Sequence, residues 1–128
     1  MAFFDLQING YAGTDFCSNN LTGEQFHHAC KALREDGIDG ILATVITDSI
    51  ESLSAKLRTM VRLREEDALI REMVRGFHVE GPFLSPETGY IGAHPAEWVI
   101  PATKESAARL LEAGDGLVRL VTLAPEHD

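Results

Sequence analysis

Hydrophobic and polar positions along this chain switch between two periods. From Phe3 to Asn9, apolar Phe4, Leu6 and Ile8 alternate with polar Asp5, Gln7 and Asn9, the two-residue period of a strand, and Gly10 ends it. From Thr22 to Glu35 the period lengthens. Phe26, Ala29, Cys30 and Leu33 fall at i, i+3, i+4 and i+7, Thr22 and Gln25 have capping-box spacing, and Gly37 stops the helix. The run from Gly40 to Ile46 is apolar on both faces, which fits a parallel strand covered by helices. Asp48, three residues before Glu51, marks a second helix start. Its apolar stripe is Ile50, Leu53, Leu57, Met60 and Val61, and its wet side carries Arg58, Arg62, Arg64, Glu65 and Glu66. A third strand, Met73 to Glu80, breaks at Gly81-Pro82. A Gly- and Pro-rich loop follows to about Pro101, anchored by packing of Trp98. Thr103 to Ala113 reads as a helix with Ala107, Leu110 and Leu111 inward, and Leu117 to Ala124 as a fourth strand.

Strands alternating with amphipathic helices imply parallel β-α-β units. A complete (β/α) barrel needs eight strands in typically ~250 residues, whereas this sequence has 128. The expected fold class is therefore α/β, a partial TIM-type barrel of about four parallel strands alternating with helices. One partial barrel domain over residues 1–128 is expected. Such a fragment leaves sheet edges open, with Phe4, Leu6 and Ile8 at one and Leu120, Val121 and Leu123 at the other. A second copy of the chain, or the missing barrel half, is the expected partner.

Composition narrows the function. Apolar residues make up 45% and charged residues 24%, as in soluble globular proteins. A net charge of −9 repels nucleic acid and anionic membranes. No apolar run approaches the roughly 20 residues that span a bilayer, and no basic leader precedes an apolar stretch, so a cytoplasmic location is expected. Cys17 and Cys30 are then free thiols, Cys30 a small core residue.

Functional residues in parallel α/β folds gather where strands end and loops begin. Three places qualify. Asp5, Gln7 and Asn9 share parity, which suits either a wet functional interior or an edge strand with one solvated face. His78 and Glu80 also share parity, and Glu80 is last before its strand breaks; they form either a satisfied polar pair or part of a metal or acid–base site. In the following loop, Gly92 permits close backbone approach and His94 can donate to an anionic or hydroxyl-bearing group, or is a surface histidine beside Pro95. His27 and His28 lie mid-helix and His127 near the terminus, with no reason to assign them as ligands.

Taken together, Asp5-Leu6-Gln7-Ile8-Asn9-Gly10, Gly76-Phe77-His78-Val79-Glu80-Gly81-Pro82-Phe83-Leu84, Gly92-Ala93-His94-Pro95 and Thr122-Leu123-Ala124-Pro125-Glu126 resemble the N-acetylglucosamine-6-phosphate deacetylases, members of the amidohydrolase superfamily. The resemblance implies a TIM barrel in which one divalent metal ion, zinc, activates water against the acetamide carbonyl of an amino-sugar phosphate, giving acetate and glucosamine 6-phosphate. Glu80 matches the metal-ligating carboxylate, and Ala93 and His94 match the substrate-contacting loop. Gln7 and Asn9 stand near the metal, where many amidohydrolases carry a His-x-His pair. The resemblance also implies a fragment, with no small β domain and no C-terminal half barrel; the family's later metal histidines and catalytic aspartate have no match, so no catalytic residue is assigned and the isolated chain is expected to be inactive. The alternative is a non-catalytic half barrel that serves assembly or weak sugar-phosphate binding.

Overall fold

Local signals set most of the elements. The computed structural model describes residues 2–127. In chain order it has β1 (Phe3–Ile8), β2 (Gly10–Tyr11), β3 (Thr14–Asp15), α1 (Gly23–Glu35), β4 (Ile38–Ile46), α2 (Ile50–Glu66), α3 (Ala68–Met73), β5 (Val74–Glu80), α4 (Lys104–Ala113) and β6 (Val118–Thr122), with 3-10 turns at Ala96–Trp98 and Pro125–His127. The capping box expected at Thr22 forms in full. Thr22 Oγ1 accepts from the Gln25 amide at 3.2 Å, and Gln25 Oε1 accepts from the Thr22 amide at 3.1 Å.

The four predicted strands form one parallel sheet in the order β1-β4-β5-β6. Ile41, Ala43 and Val45 of β4 and Val74, Phe77 and Val79 of β5 join Phe26, Leu33, Leu53, Leu57, Ile70 and Leu110 from the helices in one core. Between them, α2 packs against α3 and α4, and α1 against α3. Cys30 is fully buried, and desolvation pushes its thiol up to about 12, so it behaves as a core residue.

Several sequence expectations need correction. In β1, Asp5 pairs with Ile41 but Ile8 pairs with Ala43, so one extra residue bulges between them. The bulge turns Ile8 onto the side of Ala43, where it is only 8% exposed, and Asp5 and Asn9 no longer share a side. Ile8 is thus a core residue, while Phe4, Leu6, Leu120, Val121 and Leu123 are exposed at the edge strands as expected. Ser49, not Asp48, caps α2 by accepting from the Ser52 amide at 3.1 Å. Asp48 is drawn instead to the buried Lys56 ammonium, 2.7 Å away. Arg64 leaves the wet side to donate from Nε to the Val74 carbonyl at 2.8 Å. Leu111 points outward and is 50% exposed, Ala113 taking the inward place. Trp98 is 41% exposed and does not anchor its loop by burial.

Candidate functional site

The C-terminal ends of β4, β5 and β6 and the loop 81–101 bring the informative residues together. Glu80 closes β5 in register with Ile46 of β4 and Thr122 of β6. Thr47, the residue after β4, is buried. Its Oγ1 donates to the Glu80 carbonyl at 3.4 Å and lies 2.9 Å from His94 Nδ1. His94 Nε2 in turn stands 3.6 Å from Glu80 Oε1, with both side chains mostly buried. Residues fourteen positions apart in the chain are thereby joined through a third element.

The turn after Glu80 makes this possible. Gly81 has φ +87°, and a Cβ there would stand 2.0 Å from Thr47 Oγ1, so a side chain is excluded both by conformation and by space. The loop's root is tied down by three backbone bonds, one of them to the sheet. The Gly81 amide donates to the Thr122 carbonyl at 3.1 Å, Ile100 to Pro82 at 3.1 Å and Ala124 to Phe83 at 2.8 Å. Ala93 is exposed beside His94.

His78 takes a different part. It is 1% exposed, with Nε2 at 2.7 Å from Thr122 Oγ1 and Nδ1 at 3.4 Å from Thr44 Oγ1. Burial holds its imidazole below the ordinary histidine range, although the Glu80 charge and the Leu6 carbonyl oppose this. Strands β1, β4 and β6 thus each contribute a polar atom around this ring, the satisfied polar reading of this histidine.

At the end of β1, Gln7 is exposed and its amide donates to Asp5 Oδ1 at 2.9 Å. Asn9 accepts from the Phe16 amide at 2.9 Å, and its buried Nδ2 lacks a hydrogen-bond partner of good geometry among the described residues. It sits beside Cys17, whose thiol is pushed up chiefly by desolvation. Cys17 Sγ lies 3.5 Å from the Thr44 carbonyl. Gln7 and Asn9 make no hydrogen bond to Glu80 or His94.

As a metal site the arrangement is incomplete. Glu80 and His94 offer one carboxylate and one imidazole, and no group of three or more His, Cys, Asp or Glu that could hold a metal ion occurs among the described residues. Catalytic zinc takes three protein ligands, so the donor set present does not by itself fit the ion. Thr47, which organises His94, was not distinguishable by sequence reasoning, and Thr122, which organises His78, stood out only as part of the Thr122–Glu126 motif. Position is a signal for both, Thr47 immediately after a strand and Thr122 at the end of one.

No family model matches the sequence. Among proteins of known function, N-acetylglucosamine-6-phosphate deacetylase of Bacillus subtilis is 33% identical over 126 residues, covering 97% of this chain and 31% of the relative. N-acetylgalactosamine-6-phosphate deacetylase of a Shewanella species is 35% identical over 124 residues, covering 97% of this chain and 30% of the relative. A solved N-acetyl-D-glucosamine-6-phosphate deacetylase of Mycobacterium smegmatis, a mutant in complex with N-acetyl-D-glucosamine-6-phosphate, superposes with a TM-score of 0.84 at 30% identity. That match covers 98% of this chain and 31% of the solved one. The resemblance read from the motifs therefore extends along the chain in both sequence and fold, and the α/β part-barrel assignment holds. The chain spans about 30% of the length of the curated relatives it matches. No described helix is long and apolar enough to cross a membrane.

Proposed function

On the premise that this chain corresponds to a stretch of an amino-sugar-phosphate deacetylase, we propose that it carries one part of such an enzyme's site. There the acetamide of an N-acetylated amino-sugar phosphate is hydrolysed to acetate and the free amine, N-acetylglucosamine 6-phosphate being the substrate favoured. The observation that carries this reading is the meeting of Glu80 and His94 at 3.6 Å on the C-terminal end of a parallel sheet, where such folds place their chemistry. Glu80 serves as one ligand of a single divalent metal ion, zinc, with Gln7 and Asn9 near it, and Ala93 and His94 contact the sugar phosphate. Because the donors here fall short of a zinc site, no hydrolytic step is assigned to this chain alone.

The chain is one partial barrel domain in this reading, completed by the other barrel half or by a second copy. Free Cys17 and Cys30 fit a reducing cytoplasm. The second reading, a non-catalytic half barrel for assembly or weak sugar-phosphate binding, draws on the edges. Phe3 and Leu6 at β1 are each 57% exposed, and Leu123 just beyond β6 is 43% exposed.

The test is zinc-dependent acetate release from N-acetylglucosamine 6-phosphate. The chain alone should release none. Coexpressed with the part of the Bacillus subtilis relative that it does not match, it should restore activity that Glu80→Gln abolishes. Activity of the chain alone would overturn the incompleteness argument. A stable complex without activity would leave the assembly reading in its place.

A further inference from the structure

We propose that Arg64, Arg71, Arg75 and Arg119 form a binding site for a compact phosphate group at the N-terminal end of the sheet. It lies outside the function proposed above and does not rest on it. Glu80 ends β5 and the arginines gather at its start, so the two sites stand about 20 Å apart along a strand that rises about 3.3 Å per residue.

Four elements supply the cluster. Arg64 of α2 donates from Nε to the Val74 carbonyl at 2.8 Å, Arg71 of α3 from Nη1 to the Glu65 carbonyl at 3.2 Å, and Arg75 of β5 from Nε to the Glu72 carbonyl at 2.5 Å. Arg119 of β6 is placed by packing. A Cβ at Gly76 would stand 2.5 Å from its Cγ, and one at Gly40 would stand 3.1 Å from Arg75 Cγ, so two glycines make the room in which these stems lie. Burial and the charges of Arg71, Arg119 and Arg75 hold the Arg64 guanidinium below the ordinary arginine range, with Glu65 opposing them.

A chain of net charge −9 thus gathers half of its eight arginines at one end of its sheet, and among the described residues none of the four forms an ion pair. Glu72, between Arg71 and Arg75 in the chain, gives its carboxylate to Arg34 at 2.7 Å instead. Carbonyls orient a guanidinium without neutralising it, and a guanidinium has five N–H donors to spend. Gathering like charges is unfavourable until a counter-charge arrives. A phosphate supplies that charge, with acceptor oxygens spaced to match the guanidinium fork. A strand pairing at the open β6 edge would meet Arg119 and leave Arg64 and Arg71, on their helices, to one side, so the cluster favours a compact anion over an acidic segment.

The experiment is calorimetric titration of the full chain with inorganic phosphate at about pH 7.5, where phosphate carries close to two charges, and about 20 mM NaCl, where screening is weak. We expect saturable binding of one phosphate per chain, weakened several-fold at about 200 mM NaCl. Arg71→Gln and Arg119→Gln should each weaken it about tenfold, the scale of one lost charge-assisted bond. Arg58→Gln, at an exposed position of α2 outside the cluster, should leave it unchanged. Glu80→Gln should also bind as the original chain does, which separates this site from the one proposed above. Competition by glucose 6-phosphate would extend the site to phosphate esters, and its failure to compete would assign the site to the free ion. No saturable binding overturns the proposal, as does unweakened binding by both Arg71→Gln and Arg119→Gln, or capture of a polyglutamate peptide that phosphate does not displace. If either variant fails to fold, Arg119→Lys decides, since it keeps the charge but loses the fork and must bind several-fold more weakly.

Discussion

Replacing Thr44 by valine should loosen β1 specifically. Thr44 is fully buried, and its hydroxyl accepts from the Ile8 amide at 3.0 Å and donates to the Leu42 carbonyl at 3.1 Å. Valine preserves the shape and removes both bonds, along with the longer 3.4 Å contact to His78 Nδ1. Orphaning the buried Ile8 amide costs about 1–3 kcal/mol, and losing the bond to the Leu42 carbonyl about 1 kcal/mol. The added methyl returns roughly 0.8 kcal/mol of apolar burial. The net expectation is a loss of about 1–3 kcal/mol, or a fall of roughly 3–12 °C in Tm for a domain of this size. The effect should be local as well as global, because the β1–β4 ladder is interrupted between Phe3 and Phe4 and again between Asp5 and Ile8. Native-state hydrogen exchange at the Ile8 amide should accelerate by about 10- to 100-fold, with a smaller change in β5. Thr44→Ser, which keeps the hydroxyl, should leave Ile8 protected even though it loses a buried methyl. A Thr44→Val protein within about 0.5 kcal/mol of the original, with Ile8 exchange unchanged, would refute the assignment of this hydroxyl as the tie.

Three further outcomes follow from the same geometry. Because burial lowers the His78 imidazole in the folded chain, the unfolded chain binds more protons as pH falls below about 6.5, so stability declines there and levels off below the folded value; urea titrations across that range should show the slope, and its persistence in His78→Gln would assign it elsewhere. Lys56→Met should cost about 1–3 kcal/mol, less than for a fully buried pair. It should also raise the Asp48 carboxyl, which is desolvated yet held low by Lys56, Ser52 and the Ser49 amide; an unmoved Asp48 titration by NMR would contradict this. Gly81→Ala should destabilise by about 2 kcal/mol or more and shift the Thr47 and His94 resonances, whereas a variant of unchanged stability would show that the turn relaxes freely.

What the sequence disclosed was whatever is dictated locally. The α1 stripe and its Thr22–Gln25 box depend on residues within one or two helical turns, and the two-faced apolar run of β4 records burial directly. The features it concealed depend on distant partners. The bulge in β1 is visible only against the register of β4. Asp48 has the spacing of a cap, but its carboxylate meets a lysine two helical turns on, and Ser49 takes over the cap. The β2–β3 hairpin has two residues per strand, too few for a period to emerge. At the site, Glu80 and His94 were recognisable by residue type and motif, since carboxylates and imidazoles announce chemistry. Thr47 was not, because a neutral residue acquires its role from a ring 47 positions away.

The loop between β5 and α4 is closed at its base, through Gly81 to Thr122 of β6, Ile100 to Pro82 and Ala124 to Phe83, while its crest from Glu87 to Tyr90 is exposed. Exposed crests of small and polar residues are where proteases cut. A cut there would separate the stretch bearing Glu80 from the stretch bearing His94 in covalent terms. It would leave every one of those ties intact, along with the bond from His94 to Thr47. The two pieces would remain held in register by strands β5 and β6, so covalent continuity across the crest is dispensable to the geometry it spans.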